Sequence, residues 1–136
     1  MKRSICLATL FFAALFFTVR PQTVHAQGPS EAQVKQDLLS ALQSRCIEKY
    51  QKRGSPYAVI DSVKIGEAKV DSGEASVPVF MEYHWVGPAN VNDTFGGLPC
   101  GYFNNVQQGK HSVQPVLIYR KYGDEWKLAK FSMDRK

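Results

Sequence analysis

The sequence predicts an α+β domain in which a long N-terminal helix packs on a curved four-stranded antiparallel sheet. Three observations predict it. Behind a capping pattern at Ser30, apolar residues recur at helical spacing. The later apolar runs alternate or are rich in β-branched and aromatic residues, as strands are. Turn signals, Asp71-Ser72-Gly73 and Gly123-Asp124, join those runs in pairs.

The helix comes first. Ser30-Glu31-Ala32-Gln33 reads as a capping box, in which the Ser30 hydroxyl accepts from the Gln33 amide and the Gln33 side chain returns to Ser30. Val34, Leu38, Ala41, Leu42, Cys46 and Tyr50 then form one apolar stripe. Gly54-Ser55-Pro56 stops the helix, which spans 31–53.

The strands follow. Residues 57–70 are rich in Val and Ile, with Gly66 as a bulge or kink. In 74–86 the alternation is clean: Ala75, Val77, Val79, Met81, Tyr83 and Trp85 share one face. Ser76, Pro78, Glu82 and His84 take the other, with Phe80 and Val86 as exceptions. Pro78 brings no donor to a ladder, so it marks an edge or a bulge. Residues 113–122 and 126–133 are the last two strands, followed by a solvated tail at 134–136. Short hairpin links favour a simple meander.

Residues 87–110 break the pattern. Pro88, Asn90, Asn92, Gly96, Gly97, Pro99, Gly101, Asn104, Asn105 and Gly109 crowd into one segment. An irregular segment this long in a small domain is usually functional or mobile.

The first 26 residues read as a cleaved secretory signal. Met1-Lys2-Arg3 supplies positive charge, 5–17 is an apolar run, and Val24-His25-Ala26 offers small residues before Gln27. The apolar run is short for a membrane span, which takes about 20 residues. A lipid anchor would need a cysteine after that run, and Cys6 lies within its start. The expected product is a single domain, 27–136, exported to the periplasm or secreted, with no stable membrane anchor.

Cleavage lowers the charge. The chain holds 17 Lys and Arg against 12 Asp and Glu, and the leader contains three of the bases and none of the acids. The remaining 14 against 12 leaves +2. Lys127, Lys130, Arg135 and Lys136 gather near the C-terminus, but no concentrated basic stripe appears, so nucleic acid is not an expected partner.

Cys46 and Cys100 are the two cysteines beyond the leader. In an oxidising compartment such a pair reads as a disulfide. It would close a loop of 55 residues and pin the 87–110 segment against the helix. The rival, a reactive thiol, needs a base partner, and nothing in the sequence sets His84 or His111 beside a cysteine. No Cys or His pair has metal-ligand spacing, and no cofactor motif stands out.

Other residues are candidates for a binding surface. Tyr83, His84 and Trp85 end a strand just before the 87–110 segment, and His84 is a candidate general base. Alternation favours a plainer arrangement, with Tyr83 and Trp85 inward and His84 in solvent. Asp93 could pair with His84 or act as a turn residue. Asn92-Asp93-Thr94 matches a glycosylation acceptor, which matters only in a eukaryotic host. Tyr102 and Phe103, beside Cys100, must either fold under the segment or serve a partner.

The helix, the antiparallel sheet and the closing hairpin Val116-Leu117-Ile118-Tyr119-Arg120-Lys121-Tyr122-Gly123-Asp124-Glu125-Trp126-Lys127-Leu128 together resemble the NTF2-like and cystatin-like α+β domains of small exported bacterial proteins. The resemblance implies a concave sheet face, often with a pocket between sheet and helix. Cystatin inhibitors carry Gln-x-Val-x-Gly, whereas Asn105-Val106-Gln107-Gln108-Gly109 departs from it, so protease inhibition is not implied. No catalytic residue of the isomerase or dehydratase members maps onto this chain.

The expectation is an exported, non-catalytic binding or interaction domain. It presents the 87–110 segment, tethered by Cys46 and Cys100, to an unknown protein or small-molecule ligand. Two alternatives stay open. One is a small NTF2-like enzyme of isomerase or hydrolase type, with Tyr83, His84 and Asp93 in a polar pocket. The other is a structural subunit of an envelope assembly. Self-association as a homodimer is a further open outcome.

Overall fold

The computed structural model describes residues 28–87, 96–104 and 109–133. The signal segment, Asp93, the Asn92-Asp93-Thr94 pattern, Arg135 and Lys136 lie outside them.

One helix of 22 residues opens the described chain. It runs as α1 (Glu31–Leu42), a π-helical turn (Gln43–Ile47) and α2 (Glu48–Lys52). The Ser30 hydroxyl caps it, accepting from the Gln33 amide at 3.2 Å. The other half of the expected capping box does not form. Gln33 Nε2 donates instead to the Trp126 carbonyl at 2.7 Å, so the side chain fastens the helix to the sheet. At the other end Gly54 sits at φ +67°. The Gly54 and Ser55 amides donate to the Gln51 and Tyr50 carbonyls, closing a glycine cap.

The π turn has a packing reason. Val34, Leu38, Leu42 and Cys46 are all buried at four-residue steps. In a regular α-helix each such step rotates the side chain about 40° off the stripe. The wider turn at Gln43–Ile47 takes up that drift and keeps Cys46 facing inward.

The sheet has six strands, not four. They are β1 (Tyr57–Ile65), β2 (Lys69–Asp71), β3 (Glu74–Val86), β4 (Lys110–Val113), β5 (Pro115–Tyr122) and β6 (Glu125–Met133). All pairings are antiparallel, in the order β1-β3-β5-β6, with β2 and β4 also on β3. β2 comes from a break within the expected 57–70 row, whereas β4 begins at Lys110, ahead of the expected 113–122 row, and prolines explain both separations. Gly66 donates to the Pro78 carbonyl at 2.8 Å, but Pro78 has no N–H to return, and β1 ends there. On the other side of β3, Met81 faces Val113 and Pro78 faces Val116, one unbroken offset. That offset sets Val79 against Pro115, which again lacks a donor, and β4 separates from β5.

The alternation expected in β3 is present: Ala75, Val77, Val79, Met81 and Tyr83 are buried and Trp85 is partly buried. They meet Val34, Leu38 and Leu42 of the helix and Leu117 and Tyr119 of β5. Among the described residues no helix is long and apolar enough to cross a membrane.

Candidate functional site

Cys46 and Cys100 form a disulfide, with their Cα atoms 5.3 Å apart. Cys46 is delivered by the π turn, and Cys100 opens a short 3-10 helix, Cys100–Phe103. The bond holds the 96–104 segment against the π turn in the second half of the helix. It agrees with an oxidising environment.

Two aromatic side chains set the same segment into the core. Tyr102 and Phe103 are only 3% and 2% exposed, so they fold under rather than face a partner. The Phe103 ring lies 5.0 Å from Tyr83 and 6.4 Å from Trp85, both edge-on. Tyr83 also meets Trp85 at 6.2 Å and His111 at 5.4 Å. Tyr102 packs edge-on against Phe131 at 6.3 Å and donates its hydroxyl to the Ser132 carbonyl at 2.9 Å. Burial pushes the Tyr102 and Tyr83 hydroxyls above the usual tyrosine range. With the aromatics turned inward, Leu98 is the large apolar side chain that 96–104 shows to solvent, at 43% exposure, beside the exposed Gly96, Gly97 and Asn104.

His84 lies on the opposite face of β3 from Tyr83. Its Nδ1 is 2.8 Å from Asp61 Oδ1. A carboxylate only accepts, so His84 Nδ1 donates in this pair. Beside this pair, Ser62 Oγ donates to Glu82 Oε2 at 2.7 Å. The pair is partly exposed, 40% for His84 and 26% for Asp61. The β-bulge between Ile60 and Ser62 is what turns Asp61 toward His84.

Sequence reasoning missed Asp61 and Leu98. For Asp61 a signal existed. Ala58 and Ile60 face inward at even positions, whereas Val63 and Ile65 face inward at odd ones. That change of parity marks an extra residue between them. Leu98 had no comparable signal beyond its apolar character among glycines.

Three open grooves stand out among the described residues. The first, about 590 Å³, lies between the helix start and the β5–β6 hairpin and is lined by Ser30, Gln33, Asp37, Asp124, Glu125 and Trp126. Asp37 there accepts from the Tyr119 hydroxyl at 3.0 Å. Burial first, then the Asp37 carboxylate, holds that hydroxyl well above its usual range. The second, about 530 Å³, is more apolar and lies between helix and β1, along Leu39, Gln43, Ile47, Ala58 and Ile60. The third, about 230 Å³, sits by Gly66, Pro78 and Phe80. None of the three is lined by Tyr83, His84 or Asp61. Among the described residues, no three His, Cys, Asp or Glu side chains gather as metal ligands do.

No protein-family model, curated protein or solved structure matches this chain.

Proposed function

We propose that the chain is an exported, non-catalytic binding domain that meets its partner through the 87–110 segment. The observation that carries this reading is the double anchoring of 96–104. A disulfide holds its middle and two buried aromatics follow it, while Leu98 stays exposed. A segment fixed in this way loses little further entropy on binding, so its exposed groups are economical contacts. The disulfide supports export, and with it cleavage after Ala26. The helix laid across an antiparallel meander supports an NTF2-like or cystatin-like architecture.

The enzyme reading has less support. It needs Tyr83 and His84 to converge, and they point to opposite faces of β3. The Asp61–His84 pair orients an imidazole, but none of the three grooves holds a substrate against it.

The test is a photo-crosslinking side chain at position 98 in the exported protein. The reading expects a discrete adduct with a protein or small molecule, competed away by unlabelled wild type and not by Leu98→Asp. Leu98→Asp should leave thermal stability within a few degrees, because the side chain is exposed. Absence of any specific adduct, or equal competition by Leu98→Asp, would remove the 87–110 segment as the binding surface.

A further inference from the structure

Among the described residues the sheet is unpaired along β1 and the short β2 on one side and along β4 and β6 on the other. β6 carries Lys127 and Lys130, the kind of charge that discourages edge pairing. β1 carries one lysine, Lys64, balanced by Asp61.

The direction of the β1 backbone follows from its pairing. Gly66 donates to Pro78, and alternate strand residues turn their N–H and C=O groups to opposite sides. Lys64, Ser62, Val59 and Tyr57 therefore address β3. Ile65, Val63, Ile60 and Ala58 offer theirs to the free side.

We propose that this edge pairs with the same edge of a second copy of the chain, antiparallel about a two-fold axis. The axis passes between Asp61 and Ser62. Ile60 then faces Val63 of the second copy, and Ala58 faces Ile65 of the second copy.

Three features of β1 make it complementary to itself in that register. The first is the bulge. A bulged edge pairs poorly with a regular strand. Here both copies have the same two residues, Asp61 and Ser62, between their donating positions Ile60 and Val63, so the spacing matches through the centre. The second is shape. The apolar groove of about 530 Å³ flanks Ala58 and Ile60, at one half of the strand. Val63 and Ile65, at the other half, share the helix-side face. The two-fold lays the Val63 and Ile65 side chains of each copy along the groove of the other. The third is charge. Lys64 and the His84-directed Asp61 both lie on the far face of the sheet. In this register Lys64 of one copy stands diagonally across from Asp61 of the other, twice per dimer, within reach of a long side chain.

Sedimentation velocity on the disulfide-intact exported chain, over a dilution series, tests this. Wild type should pass from monomer to dimer as concentration rises. Lys64→Glu, at an exposed position, should keep its circular dichroism and weaken the dimer by at least roughly tenfold. Asp61→Lys should weaken it too, and Asp61→Lys combined with Lys64→Glu should recover most of the loss, since the swapped charges again face each other. A chain that stays monomeric at every concentration, even if a foreign peptide or protein is found on this edge, overturns the proposal. So does a dimer indifferent to Lys64→Glu, or one that the charge swap fails to rescue.

Discussion

Replacing both Cys46 and Cys100 by alanine removes the covalent tie between helix and segment while leaving small apolar groups in place. The cost can be worked out from the loop. The cysteines are 54 positions apart, and the chain-entropy relation gives about 4 kcal/mol for a loop of that length. Unfolding entropy near the midpoint is about 2.1 cal/mol/K per residue, hence about 0.23 kcal/mol/K for a chain of about 110 residues. The double variant should therefore melt about 15–20 °C below wild type. Scanning calorimetry under non-reducing conditions measures this, with reduced wild type as a control that should fall nearly as far. Trp85 adds a local readout, because its neighbour Phe103 belongs to the released segment. Its fluorescence should shift in the double variant below the melting transition. A midpoint within about 5 °C of wild type would refute the reasoning, because a tie of that span would then be constraining nothing.

Three further outcomes are expected. Leu38→Ala, in the helix stripe against β3, should lose 2–5 kcal/mol by chemical denaturation, roughly the cost of an emptied core site. Ser30→Ala should cost about 1 kcal/mol by the same assay, because the Gln33 amide loses its cap. Stability should fall as pH rises above about 10. Tyr83, Tyr102 and Tyr119 hold raised hydroxyl pKa values when folded, so above the unfolded tyrosine range the unfolded chain binds fewer protons than the native one. Their contribution is complete below that range and is lost above it. Tyrosinate absorbance and circular dichroism should change together there, and Tyr119→Phe should make the alkaline limb shallower.

The helix and β3 were legible because each repeats its period many times over. The stripe from Val34 to Cys46 and the alternation from Ala75 to Tyr83 both land where their spacing puts them. The division of the sheet was harder to read. Pro78 pointed to an edge or bulge, but the effect of Pro115 depends on its standing opposite Val79, a long-range pairing that no local pattern encodes. The Cys46–Cys100 pairing followed from compartment and count, since two cysteines allow one bridge. The fate of Tyr102 and Phe103 did not, because an aromatic pair in a glycine-rich segment reads the same whether buried or offered. The partner of His84 was also hidden. Asp61 reaches it only through a bulge, so the sequence distance between them carried no hint of contact.

The central proposal is an exported domain in which one disulfide ties the 96–104 segment to the helix. Intact mass and a non-reducing peptide map, on protein recovered from the compartment to which its host delivers it, test that most directly. The expected result is a chain beginning at Gln27, lighter than its reduced form by the two hydrogens of one disulfide, with a cross-linked peptide joining Cys46 to Cys100. A chain that retains Met1, or one in which both thiols react freely with an alkylating reagent under native conditions, would contradict it.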